Sequence, residues 1–301
     1  MNPARLKAYI LLLIVGVIWG IAGPVIKLTL GEIDPAPFLL YRFLISSLIA
    51  LPALIKGFRY LKTPGLFLII VYALLNSTAT LGLLFWGTDN TTLLDMSLIS
   101  LTGPILMMLL GYLFLGDKIT RREKIGTIIA LVGSLVIALE PIASNDHGGE
   151  RLFGNILIIL SLVCGAISGY LAKKLLREGF SPVFLTNISF VVGFVSLIPI
   201  VFSITSMSEL SSTFYNLPLE GHLGILYMAI FSGTVAYTLN NMGQKTIELS
   251  EAALFSYLHP IISATIAVVF LGDALSTQII LGGTVAAVGV VIAEVKKKSY
   301  N

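Results

Sequence analysis

The sequence predicts an all-α membrane protein in which ten transmembrane helices form two inverted repeats of five. Three observations carry that prediction. Composition is the first: 56% of residues are hydrophobic, 12% are charged and the mean hydropathy is +0.95. A soluble chain of 301 residues could not hide that much apolar surface. The second is a set of ten apolar runs, each close to the about 20 residues that a helix needs to cross the hydrocarbon core. Third, the chain repeats itself. Pro104-Ile105 and Phe114-Leu115-Gly116-Asp117 return as Pro260-Ile261 and Phe270-Leu271-Gly272-Asp273, both at an offset of 156. Laid over each other without gaps, 93–137 and 249–293 share thirteen identities in 45 positions, including Gly126/Gly282, Ala130/Ala286 and Gly133/Gly289.

The expected spans are 8–30, 35–55, 65–86, 92–115, 122–140, 153–175, 182–203, 222–244, 251–271 and 277–295. The first follows Arg5 and Lys7. It is too long for the apolar region of a secretory signal and lacks a cleavage site, so it reads as a span. In the second, Pro35, Phe43 and Pro52 match Pro182, Phe190 and Pro199 of the seventh at an offset of 147. The third and eighth are linked by Thr78/Thr234 and Gly87/Gly243, and the fourth and ninth by their prolines and closing Leu-Gly-Asp. Thr120 and Ser276 stand as N-caps of the fifth and tenth. The sixth opens a second half after the polar connection 141–152, with Cys164-Gly165 where the first span has Trp19-Gly20. The expected organisation is thus a first repeat over 1–141, a linker over 142–152 and a second repeat over 153–301.

Charge placement tests the count. With a cytoplasmic N-terminus, ten spans put sixteen of the nineteen Lys and Arg on the cytoplasmic side, leaving Lys27 and Arg151 outside and Arg42 in the membrane. Both termini are then cytoplasmic, as expected of a multi-pass protein of the plasma or inner membrane. Five is odd, so the second repeat must be inverted, and inverted repeats bring a shared site to their interface near the midplane. The small net charge of +3, spread in short clusters, argues against a nucleic-acid partner. The single cysteine, Cys164, excludes an intramolecular disulfide.

Trp19-Gly20 in the first span, Pro35 with Arg42-Phe43 in the second, and Pro-x11-Gly-Asp closing the fourth and ninth resemble an EamA-type transporter of the drug/metabolite transporter superfamily. The resemblance covers the whole chain in both copies. It implies ten helices around a central cavity and export or exchange of small metabolites by alternating access. The sequence departs from the family pattern in carrying Asp, where Glu is commoner, after each Leu-Gly.

Arg42 is the sharpest candidate for a substrate contact. It lies seven residues into its span, roughly 10 Å of helix, where a charge must be paired or hydrated. It either faces a polar cavity or serves as a tether, paired with Asp95 or bonded to freed carbonyls. His259 precedes Pro260 in the ninth span and could titrate in a proton-coupled cycle. The alternative is a neutral ring bonded to backbone. Asn76, Tyr237 and Asn240 either line a cavity or glue helices together, and Tyr257, near His259, belongs to the same set, as do Asn187, Thr78, Thr80 and Thr234. Trp19, Gly20, Gly23 and Pro24 point to a broken or kinked first helix with Trp19 as a cavity wall. Asp117, Asp273, Asp95 and Glu251 sit at helix ends, where carboxylates are chiefly structural.

Absences narrow the field further. The sequence has no Walker A motif, no His-Glu-x-x-His cluster and no mid-span carboxylate in the first helix, so ATP drive, metal chemistry and cationic cargo are not expected. No cofactor or metal is expected, nor enzymatic activity. The predicted protein is a monomeric secondary carrier in the lipid bilayer for small polar metabolites such as amino acids or their derivatives. The alternative is a flippase for a lipid or prenyl-linked substrate, or a polytopic membrane enzyme.

Overall fold

Each apolar run forms a helix. The computed structural model describes residues 3–57, 65–116, 120–143 and 149–294. In it α1 is Pro3–Leu30, α2 Pro35–Gly57, α3 Leu66–Asp89, α4 Leu93–Leu115 and α5 Arg121–Ala138. The second half repeats the order as α6 Gly149–Arg177, α7 Pro182–Ile204, α8 Leu219–Thr246, α9 in two pieces, Leu249–Phe255 and Leu258–Phe270, and α10 Thr277–Glu294. Short helices Glu140–Ala143 and Met207–Asn216 fill the two long connections. Large apolar side chains such as Ile55, Phe67, Phe114 and Phe270 face outward, as a lipid-bathed surface requires. Asp117, Lys118, Arg59, Lys62 and the basic cluster 296–298 lie outside the described residues.

The repeats interlock rather than sit side by side. Helix α1 packs between α8 and α9, and α6 between α3 and α4, so each repeat's first helix is held by the third and fourth helices of the other. Helix α2 pairs with α7, and α5 with α10. The α5–α10 seam explains the repeated small residues. A Cβ on Gly133 would collide with backbone of Ala286 and Gly282, and one on Gly289 with backbone of Ala130 and Gly126. Only glycine allows two helices this close.

Polar contacts obey the same pseudo-symmetry. Arg151 clasps Asp95 (Nε–Oδ2 2.8 Å, Nη2–Oδ1 3.0 Å), and Arg5 clasps Glu251 (2.6 Å). Each clasp joins one repeat's first helix to the other's fourth, and the two lie at opposite faces of the membrane. Likewise the Lys27 ammonium donates to the Thr88 (2.9 Å) and Thr91 (2.7 Å) carbonyls at the end of α3, while Lys173 donates to Gln244 and Ile247 at the end of α8. Thr88 and Thr91 precede Gln244 and Ile247 by 156, whereas Arg5 and Lys27 precede Arg151 and Lys173 by 146. These pairings place Gly165, one residue past Cys164, opposite Trp19. Arg151, expected in the connection, stands in the first turns of α6.

Proline does not break α1. The helix runs unbroken through Pro24 because the Ser263 hydroxyl donates to the Gly20 carbonyl (2.7 Å), the group that the missing proline N–H leaves free. Discontinuities fall instead in four other helices, in two repeat-related pairs. Helices α3 and α8 each contain a π turn, Leu74–Ala79 and Ile230–Val235, again 156 apart. Hydroxyls take up carbonyls that the widened turns leave: Thr80 bonds Leu75 (2.7 Å), and Ser46 bonds Ala229 (3.1 Å). Helix α4 tightens into a 3₁₀ turn at Ser100–Thr102, and α9 turns at Ser256–Tyr257, each just before its proline.

Candidate functional site

The π turns and the breaks in α4 and α9 converge on a cavity of about 270 Å³ between the repeats. π turns recur at functional sites because they displace one residue from the helical register. Six helices wall the cavity (α1, α3, α4, α6, α8 and α9), and α2 reaches it through Arg42 alone. Of the residues singled out in the sequence as site candidates, Arg42, Trp19, Asn76, Thr80, Tyr237, Asn240 and His259 line it, with Gly23 beside Trp19.

Arg42 is fully buried and none of its three guanidinium nitrogens has a hydrogen-bond partner. Its charge rests against the faces of Phe85 (5.4 Å to the centroid) and Phe43 (5.8 Å), contacts that attract a cation but leave its N–H groups unsatisfied. The tether to Asp95 is not made. That carboxylate is occupied by Arg151, Asn155 (3.1 Å) and Thr91. Asp95 sits in the third position of α4, at the membrane face, while Arg42 sits deeper.

An aromatic wall runs beside Arg42. Trp19 meets Tyr237 (centroids 5.0 Å apart) and His259 (5.2 Å) edge to face, and Tyr237 meets Phe190 at 5.5 Å. The Trp19 indole N–H donates to the Ser232 carbonyl (2.9 Å) in the α8 π turn, which fixes the ring against that turn. The carbonyl expected to be freed by Pro260, that of Ser256, accepts instead from the His259 backbone N–H (3.2 Å).

The other polar candidates divide. Asn76 lines the cavity yet also donates to Ser189 (3.2 Å), and neighbouring Asn241 donates to Thr186 (3.0 Å). Thr78 joins α3 to α7 through Ser196 (2.6 Å), whereas Thr234 bonds Ala229 (3.3 Å) and Asn187 bonds Val183 (2.7 Å) within their own helices; all three lie away from the cavity. Tyr257 does not line the cavity either. It packs beside Ile105 and Ala130, because two residues along a helix swing about 200° and put it on the face opposite His259. Asp273 serves structure, accepting from the Leu94 N–H (2.8 Å) to cap α4, and Ser276 caps α10 through Ile279 N–H (3.2 Å).

Sequence reading missed Tyr72, a buried lining residue within hydrogen-bonding reach of Asn241 and Ser189. It also missed Met96, Met107 and Ser161. No sequence signal marked Tyr72; at the offset of 156 it matches Met228, another lining residue. No group of His, Cys, Asp and Glu suited to a metal occurs among the described residues.

Two inverted repeats enclosing a solute-sized cavity define a polytopic membrane protein of the carrier type. The chain belongs to the EamA-like transporter family, whose model matches residues 6–139 and 152–294. It is similar to the uncharacterized transporter YyaM of Bacillus subtilis strain 168, with 26% identity over 99% of this chain and 97% of that one. It is also similar, at 22% identity over 95% and 93%, to a protein of Streptantibioticus cattleyicolor named a probable terminal-alkyne amino-acid exporter. A solved crystal structure shares the fold at a TM-score of 0.68 and 15% identity, covering 98% of this chain and 97% of its own.

Proposed function

We propose that this transporter is a secondary-active carrier that exports or exchanges small polar metabolites, amino acids or their derivatives, by alternating access. The observation that carries the reading is the buried, unpartnered Arg42 guanidinium facing a cavity between inverted repeats. An uncompensated charge at that depth costs several kcal/mol, and a bound anionic group offsets it. Asn76, Asn240 and Tyr237 supply neutral contacts, Trp19 a wall, and His259 is the candidate for proton coupling. The clasps at the two faces suit a device that opens one side at a time. The charge asymmetry supports cytoplasmic termini in a plasma or inner membrane, and one chain holding both repeats agrees with a monomer. The name of the Streptantibioticus relative agrees with amino-acid-like cargo.

Reconstituted vesicles test this. Counterflow of a labelled amino acid or derivative, together with a raised melting temperature in detergent, is the expected result. Absence of both across a panel of amino acids, acylated derivatives, nucleobases and cations would turn attention to flipping of lipid or prenyl-linked substrates.

A further inference from the structure

The same cavity says more about its cargo, on the footing of the carrier reading above. Arg42 is the one Lys or Arg among the lining residues, and no Asp or Glu lines the cavity among the described residues. Asp95 and Glu251, near the starts of α4 and α9, are held by Arg151 and Arg5. The lining therefore carries a single positive charge, set just behind the cavity surface, and nothing negative. The rest of the lining is apolar, aromatic or neutral, with Trp19, Leu84, Met96 and Met107 beside Asn240 and His259.

We propose that the cavity selects a monoanionic organic acid without an ammonium group, such as an N-acylated amino acid or an amine-free carboxylic acid, over a zwitterionic amino acid. The carboxylate draws the Arg42 side chain toward the cavity and meets its guanidinium, where two N–H groups can bind it side by side. An α-ammonium would lie a few ångströms from the same guanidinium, with no carboxylate to offset the repulsion. A dianion such as a phosphate ester would leave its second charge without a partner. The volume, about 270 Å³, lies at the lower end of the range of roughly 300–1,000 Å³ common for small-molecule sites, which suits a compact acid.

Four compounds that share one side chain test the proposal on the purified full-length protein: leucine, N-acetyl-leucine, 4-methylpentanoate and leucinamide. Competition for counterflow in vesicles and thermal shift in detergent are read for each. N-acetyl-leucine and 4-methylpentanoate are expected to act at concentrations at least about tenfold below leucine, with leucinamide inert. Arg42→Lys keeps this order with weaker binding, whereas Arg42→Gln abolishes it; size-exclusion profiles confirm that both variants fold. If leucine matches or beats its acetyl derivative, the anion proposal is overturned and the carrier reading stands. Preference for leucinamide overturns Arg42 as the docking charge. If none of the four moves or binds, the proposal and the amino-acid-like cargo fall together.

Discussion

Replacing Arg151 by alanine should destabilise the protein far more than replacing Arg5, although the two arginines hold equivalent places in the repeats. Arg151 binds Asp95 through two nitrogens and Glu140 through a third (2.7 Å), and the side chains of those carboxylates are 0% and 3% exposed. Truncation leaves two acidic groups buried side by side, with Asn155 alone still donating a side-chain N–H to Asp95. Breaking a buried pair in this way costs about 3–5 kcal/mol. Arg5 is 51% exposed in its pair with Glu251, and pairs of that kind contribute about 0–1 kcal/mol. The expected gap is therefore about 3 kcal/mol. It is read from the fraction of protein that stays monodisperse after heating in detergent. Adding Asp95→Asn to Arg151→Ala removes the stranded charge and should recover part of the loss. Equal effects at Arg5 and Arg151, or no recovery in the double variant, would refute the reasoning.

Three further perturbations follow from the packing. Ser263→Ala strands the Gly20 carbonyl and should cost about 1–3 kcal/mol; in a Pro24→Ala background, where a backbone N–H can return, the same change should cost much less, which a double-mutant cycle measures. Gly133→Ala and Gly289→Ala force a methyl into the backbone of the facing helix, and each should lower stability by about 1–3 kcal/mol, whereas Gly149→Ala, where a Cβ meets nothing within 4 Å, should not. In the short helix Met207–Asn216, the Ser206 backbone N–H (2.8 Å) and hydroxyl (2.8 Å) donate to Glu209 and hold its carboxyl below the usual carboxylate range. Because the folded value lies below the unfolded one, the stabilisation is complete above about 4.3, the unfolded pKa, and fades as pH falls through the folded value. Amide exchange in this helix should quicken over that window in the wild type and show no such step in Glu209→Gln.

Ten helices and their inversion could be read from the chain because they rest on local hydropathy and on an offset of 156 that holds from the third helix to the fifth of each repeat. Arg42, Trp19, Tyr237 and His259 could be read because a charge, or a large ring with a polar tip, is conspicuous at mid-span. What depends on distant partners could not. Ser263 rescues Pro24 from another repeat, so proline chemistry alone pointed to a break that is absent. The π turns differ from ordinary helix by one slipped hydrogen bond, with no residue signature beyond a few hydroxyls. The symmetry of the clasps was masked because α1 and α6 are related by 146 while α4 and α9 are related by 156. Tyr257 was assigned by nearness in sequence to His259, and helical rotation sent it to the other face.

If Arg42 is the docking charge of a carrier, it also decides which half of the transport cycle feels the membrane potential. A monoanion bound there would cancel the guanidinium, so the loaded site would reorient without net charge. The empty site would reorient carrying one positive charge. Moving such a charge through the whole field is worth about 2.3 kcal/mol per 100 mV. A potential that is negative inside draws the vacant site toward the cytoplasm, the side from which an exporter loads, so voltage would speed the return of the carrier while leaving the outward passage of its cargo untouched.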